Sequence, residues 1–332
     1  MHRIAFIGFK HGHIFSLYAQ AEKHPDIIIA GACEVDPAYR KDAEAKGVVL
    51  THDQPAALLA DSSIDIIAIG DAFALRGGHA IAALQAGKHV IADKPLCTSL
   101  QELAEIRRLA AGKKRQVGMM LDLRFSPITG AVRSLLQDKA MGPLQAAFFS
   151  GQHPLNYATR APWYFEPNMH GGTINDLAIH GMDMMACLTG LRLQDVLAAR
   201  CWNAYADKDP DFKDCAQFMV KLDQGAGLLA DVSYSAPDSM GYSLPSYWRF
   251  TLWCKGGVIE FSYGQPEIRL SMAGEAQPRL IPIPEQKTSS TSLQALLDDI
   301  AGKSAVLDTA TVLQSSEDTL KIQAAADQSD AG

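Results

Sequence analysis

The first 121 residues alternate short, almost wholly apolar runs with amphipathic stretches, and that alternation admits few folds. Ile4 to Ile7, Ile27 to Cys33, Ile64 to Ile69, Val90 to Ala92 and Val117 to Leu121 are continuous enough in hydrophobicity to be strands covered on both faces. Between them lie stretches with helical spacing: the segment after Gly12 carrying Ile14, Leu17 and Tyr18, the charged run from the Asp36-Pro37 turn to Lys46, Gly77 to Ala86 closing at Gly87, and Leu100 to Ala111. Buried strands separated by helices predict a parallel sheet. The expected fold is a doubly wound α/β nucleotide-binding domain over residues 1–122.

From Leu144 the pattern changes to longer alternating runs: Gln145 to Ser150, Val196 to Asn203, Ala216 to Leu222, Leu228 to Ser235, Arg249 to Trp253 and Val258 to Tyr263. Tight turns such as Asp223-Gln224-Gly225 and Lys255-Gly256-Gly257 separate several of them, as antiparallel neighbours require. Residues 123–290 are therefore expected to form an α+β domain with one large, mainly antiparallel open sheet. Leucines and alanines at helical spacing from Ser292 to about Ala325 predict a C-terminal helical range, 291–332, packing back on the body. A chain of 332 residues exceeds the span one core usually serves, which agrees with two domains.

Charge and cysteine usage exclude several functions. The net charge of −7 comes without a Lys/Arg-rich block, so neither nucleic acid nor an anionic membrane surface is an expected partner. The six cysteines form no CxxC pair and read as reduced thiols. No apolar run has a membrane span's length, and Met1-His2-Arg3 leads directly into a strand, so a cytoplasmic protein without a leader is expected.

Chemistry first shows in the turn Gly8-Phe9-Lys10-His11-Gly12-His13. A dinucleotide turn after a first strand usually carries three glycines. Here Gly8 is in register, Lys10 and His13 stand at the second and third glycine positions, and Gly12 falls between them. Glu34 ends the second strand where an acidic side chain accepts hydrogen bonds from the adenine ribose, which favours NAD over NADP. Asp71, Ala72 and Phe73 follow the third strand at the end where a cofactor crevice forms. His11 and His13 could suggest a metal, but no third ligand is evident, so none is expected. Farther along, Gly171-Gly172 precede Asp176 and His180, whose spacing puts both side chains on one face of a helix.

Four motifs in order carry a family resemblance. Gly87-Lys88-His89-Val90 leads to Ala92-Asp93-Lys94-Pro95; Leu123-Arg124-Phe125-Ser126-Pro127 follows; Trp163 precedes Gly171-Gly172; and Asp176, His180 and Asp183 complete a G-G-x-x-x-D-x-x-x-H-x-x-D element. Together they resemble the Gfo/Idh/MocA oxidoreductases, across essentially the whole chain, with Asp93 standing where the family usually has glutamate. The resemblance implies a Rossmann domain and a substrate domain, and an NAD(P)-dependent dehydrogenase or reductase acting on a sugar, polyol or related hydroxylated molecule. It maps catalysis onto Lys94, Asp176 and His180: His180 as proton acceptor, suited by an ordinary pKa of about 6.5, Lys94 on the reacting oxygen, and Asp176 either on a neighbouring hydroxyl or steadying His180 and Lys94. Cofactor contacts are expected from Gly8 to His13, Glu34, Asp71, Ala72, Phe73, Asp93 and Lys94. Substrate contacts are expected from Lys94, Arg124, His153, Trp163, Asp176 and His180, with Tyr164 a further pocket wall; Arg124 could equally serve a domain interface. In the family the Lys-Pro bond is often cis, and the open sheet often makes a homodimer or homotetramer. Two alternatives of the same fold are an enzyme that cleaves glycosides with NAD assistance and a non-catalytic dinucleotide sensor.

Overall fold

In the computed structural model, which describes residues 1–283, 285 and 290–329, the chain divides into two compact units. One takes residues 1–120, 161–171 and 290–317, and the other residues 121–160, 172–289 and 318–332. Of the ranges expected from sequence, residues 284 and 286–289 of the second and 330–332 of the third lie outside the described residues.

The first unit runs β1 (His2–Ile7), α1 (His13–Lys23), β2 (Ile27–Cys33), α2 (Pro37–Ala45), α3 (Pro55–Ala60), β3 (Ile66–Ile69), α4 (Phe73–Gln85), β4 (His89–Ala92), α5 (Leu100–Lys113) and β5 (Val117–Met119). All five strands are parallel, in the order β2-β1-β3-β4-β5. The chain leaves β1 to one side for β2 and returns to the other for β3, so the loops after β1 and β3 part at the strands' carboxyl ends. An open α/β sheet receives its ligand at such a point. Every residue of β3 is buried, and Ile14, Leu17, Tyr18 and Ala21 of α1 turn inward on the same core as Ile4 and Phe6. Local chemistry sets the helix starts. Asp36 caps α2 through the Ala38 amide with Pro37 at the first position, and Ser99 caps α5 through the Glu102 amide while Glu102 accepts from the Thr98 amide. Each such cap contributes about 1 kcal/mol. The helix expected from Gly77 begins earlier, at Phe73; the glycine pair Gly77-Gly78 weakens the helical signal of its first turns, and packing restores it.

The second unit holds α6 (Pro127–Leu136), β6 (Leu144–Pro154), α7 (Ile179–Thr189), β7 (Leu193–Trp202), β8 (Cys215–Leu222), β9 (Gly227–Ala236), β10 (Arg249–Cys254), β11 (Gly257–Ser262), β12 (Glu267–Met272) and β13 (Arg279–Pro282). Its sheet has the order β13-β12-β11-β10-β6-β9-β8-β7. Every neighbouring pair is antiparallel except β6 and β9, which run parallel. That pair joins strands far apart in sequence, whereas turn signals report only neighbouring hairpins. Strands β12 and β13 were not foreseen either. Val220, Leu228, Ala147 and Leu252 line the buried face in register, and their neighbours Met219, Leu229 and Phe148 share the opposite, open face.

The expected C-terminal helical run is two helices, α8 (Ser292–Ile300) and α9 (Thr309–Ser329). Leu293 and Leu296 of α8 join the core of the first unit, and Thr309 accepts a hydrogen bond from the Val117 amide of β5 at 2.9 Å. A second correction concerns the element after the glycine pair. Residues Ile174–Ala178 wind as a π-helical turn, and the α-helix starts only at Ile179. Asp176 and His180 therefore lie on successive elements and do not share one regular helix face.

Candidate active site

Gly8 ends β1 with φ +80, a conformation that favours glycine, and a Cβ there would lie 2.6 Å from that of Asp71. The turn that follows is held by side chains. Glu34 accepts from the Phe9 amide at 2.6 Å and from the Asp36 amide at 2.9 Å, and is buried. Burial pushes its carboxyl up, offset in part by those two amides. Each Glu34 oxygen binds one backbone amide, tying the β1 turn to the end of β2 and leaving lone pairs with which the expected ribose contact is compatible. Lys10 pairs with Asp71 at 3.3 Å, and Asp71 also meets His79 at 3.1 Å. Burial raises the Asp71 carboxyl, but His79 and Lys10 outweigh it and bring it below its ordinary value.

Asp93, at the end of β4, is fully buried and gathers three partners. His11 Nδ1 hydrogen-bonds one carboxylate oxygen, His13 Nδ1 lies 3.2 Å from the other, and the Arg76 guanidinium lies 3.3 Å from the first. Burial pushes the Asp93 carboxyl up, and the adjoining His11, Arg76 and His13 overrule it, holding it well below the usual carboxylate range. Burial drives His11 down to about 4, so at neutral pH a neutral imidazole faces an ionised carboxylate. The third neighbour that the sequence did not reveal for His11 and His13 is thus Asp93, brought from a strand distant in the chain. Arg76, also unforeseen, donates to the carbonyls of Asp71 at 2.8 Å, Pro95 at 3.2 Å and Lys94. Those bonds fix the segment that presents Lys94, whose peptide bond to Pro95 is cis. Lys94 is buried, with Nζ 5.8 Å from the Phe73 ring centroid. Phe73, at the start of α4, packs against Trp163 at 4.8 Å, His11 at 5.3 Å and Tyr164 at 5.5 Å. Trp163 also donates to the Lys10 carbonyl. Ala72 is buried beside them.

In the second unit Asp176 is buried, and the Tyr234 hydroxyl of β9 donates to its carboxylate. The π-helical turn around it is held by Gln323 of α9, whose oxygen accepts from the Ile174 and Asn175 amides at 3.0 and 3.3 Å. Gly172 makes this possible: its φ is +95, and a Cβ would lie 2.2 Å from the Gln323 carboxamide. His180 heads α7 with its ring 5.5 Å from that of Trp248, and His153 lies 5.7 Å from the same indole. Trp248 is fully buried with φ +46, a left-handed conformation that costs a bulky side chain on the order of 1–3 kcal/mol. Tyr242 and Tyr247 border His153 at 5.4 and 5.5 Å. Arg124, for which substrate and a domain interface were equally expected, has Asp183 as its partner. It is buried in a two-bond pair with Asp183, at 2.5 and 2.6 Å, and so fastens the start of α6 to α7. Tyr234, Trp248 and Gln323 carry no motif and become visible only through the fold.

Residues 2–121 match the oxidoreductase family's NAD-binding Rossmann domain, and residues 129–260 match the GFO/IDH/MocA C-terminal domain. The chain belongs to the GFO/IDH/MocA oxidoreductase family. Among curated relatives, a 1-carboxy-3-chloro-3,4-dihydroxycyclohexa-1,5-diene dehydrogenase of Comamonas testosteroni is 25% identical over 249 residues, covering 73% of this chain and 58% of the relative. An inositol 2-dehydrogenase of Acidothermus cellulolyticus is 24% identical over 226 residues, covering 67% and 61%. The matches thus span about three-fifths of those relatives' lengths. A solved structure of levoglucosan dehydrogenase in complex with NADH and L-sorbose shares the fold at a TM-score of 0.81 and 19% identity, covering 99% of this chain and 97% of that one. The residues present fit a dinucleotide, which the family's Rossmann domain binds. The positive φ of Gly8 permits the tight turn, and the amides of Lys10 and Gly12, ahead of α1, have no hydrogen-bond partner among the described residues. Amides at a helix start suit a pyrophosphate.

Proposed function

We propose that this family member oxidises a secondary alcohol of a sugar, polyol or related hydroxylated small molecule, with NAD preferred to NADP. The observation that carries the reading is the retention of Lys94, Asp176 and His180, each held by its own unit's packing, in a chain whose two halves both match the family. Bound NAD supplies a nicotinamide that accepts hydride. The rest falls to the chain. His180 takes the hydroxyl proton, Lys94 offsets the charge developing on that oxygen, and Asp176, steadied by Tyr234, accepts from an adjacent hydroxyl. His153 and Tyr242, backed by the buried Trp248, offer an apolar surface with a polar edge, as sugar rings favour. The protein works in a reducing, cytoplasmic setting, in keeping with six cysteines none of which is joined in a disulfide.

The test is nicotinamide reduction by purified protein with NAD or NADP and a panel of sugars, inositols and sugar acids. Reduction of NAD by one compound class supports the reading. Aglycone release from glycosides without net reduction would replace it with NAD-assisted cleavage, and cofactor binding without any turnover would replace it with a sensor.

A further inference from the structure

We propose that His11, His13 and Asp93 form a binding site for a divalent transition-metal ion of the zinc class. Among the described residues they are the group of histidine, cysteine or carboxylate side chains that converges in this way, with one ligand atom from each within 4.8 Å of the others. Their imidazole rings stand nearly perpendicular, at 82°, with centroids 4.6 Å apart. Ligands bound tetrahedrally at about 2.0–2.1 Å from zinc are roughly 3.3 Å from one another. His13 Nδ1 and Asp93 Oδ1 already have such a separation, 3.2 Å, and His11 bonds the second carboxylate oxygen. An ion would take the place of the protons that these groups now share.

The donor set decides the class of metal. Two imidazole nitrogens and one carboxylate oxygen suit zinc and its transition-metal neighbours, whereas magnesium and calcium take oxygen ligands. Arg76 sharpens that choice. Its guanidinium orients Asp93 in the manner of an outer partner, but its charge opposes any cation, so only an ion forming strong bonds to imidazole can load. The site also has a direction. Asp93 is fully buried and the His11 side chain 12% exposed, while that of His13 is 52% exposed. A fourth position therefore opens beside His13, toward water or an anionic oxygen, as in zinc sites that exchange ligands.

Nothing in this proposal depends on turnover, so the protein is tested without nucleotide or substrate. Chelator-treated full-length chain is titrated with Co²⁺, read by visible absorption, and with Zn²⁺, read by calorimetry. The site predicts one ion per chain and the intense bands of four-coordinate cobalt. His13→Gln, at a partly exposed position where folding is not at stake, should weaken binding by more than the roughly 100-fold that loss of an outer partner costs, and Asp93→Asn should do the same. His24→Gln, outside the trio, should leave it unchanged. Absence of binding, or equal affinity in wild type and His13→Gln, would overturn the proposal.

Discussion

Lys94 is the residue on which the proposed chemistry leans most, and its setting explains why a lysine can serve there. Arg76 ties down the carbonyls on both sides of the Lys94–Pro95 bond, so the ammonium is presented by a fixed backbone. Lys94→Ala should leave the fold intact and lower kcat by about 10²–10³, the usual cost of losing one preorganised electrostatic group; a variant of near-normal turnover would remove Lys94 from the site. Glu34 makes a contrasting case. Because its oxygens serve the Phe9 and Asp36 amides and its remaining lone pairs are the ground for the proposed NAD preference, Glu34→Gln, which sets an amide group against one of those amides, should weaken NAD more than NADP. Equal losses of the two would leave Glu34 with the turn alone. His89 carries a pH dependence. Burial, with the Arg115 charge adding, lowers it from 6.5 to about 4, and its Nδ1 accepts from the Gln116 amide as only a neutral ring can. The folded state holds fewer protons than the unfolded one in that window, so the stabilisation is complete above pH 6.5 and is lost as pH falls toward 4. Urea midpoints should fall over that range in wild type and less steeply in His89→Asn; equal slopes would exclude His89 as the source. The motif residues were legible in sequence because each sits in a local word such as Asp93-Lys94-Pro95. Arg76, Tyr234 and Trp248 were not, since their work lies in partners far along the chain.

At the scale of elements, the strands of the first unit could be read to within about two residues: β2 spans Ile27–Cys33, as its apolar run suggests, while β3 starts at Ile66 and β5 ends at Met119. A strand covered on both faces, as β3 is, writes its length in hydrophobicity. The π-helical turn at Ile174–Ala178 left no such trace, because the turn depends on Gln323 accepting the Ile174 and Asn175 amides from a helix more than a hundred positions away. The Arg124–Asp183 pair was half legible: Arg124 stood out as a candidate for substrate or for a domain interface and Asp183 as the end of a motif, but neither as the other's partner. Removing one member leaves an uncompensated buried charge, which costs about 3–5 kcal/mol. Asp183→Asn should therefore lower the urea midpoint strongly while leaving cofactor affinity of the surviving folded protein near normal. Wild-type stability in the variant would contradict a structural role for the pair.

The whole molecule holds, beside the parallel sheet, a second sheet with an open face. Leu229 is 53% exposed and Met219 42%, paired in register on that face with Phe148 beside them. Contiguous exposed apolar side chains of this kind mark association surfaces, and we propose that they make the protein a homodimer or homotetramer. Light scattering should give a multiple of 35.9 kDa, reduced in Leu229→Asp; a wild-type monomer would contradict it. The parallel β6–β9 pairing that creates this face could not be foreseen from turns alone. Hydride transfer remains the claim on which the functional account stands, and isotope transfer tests it most directly. Inositols and sugars deuterated at carbon are incubated with the protein and NAD, and the nicotinamide is analysed by mass spectrometry. The account predicts net accumulation of deuterated reduced nicotinamide with at least one compound, and its loss in His180→Asn. Unlabelled nicotinamide throughout, from a protein that demonstrably binds NAD, would contradict it.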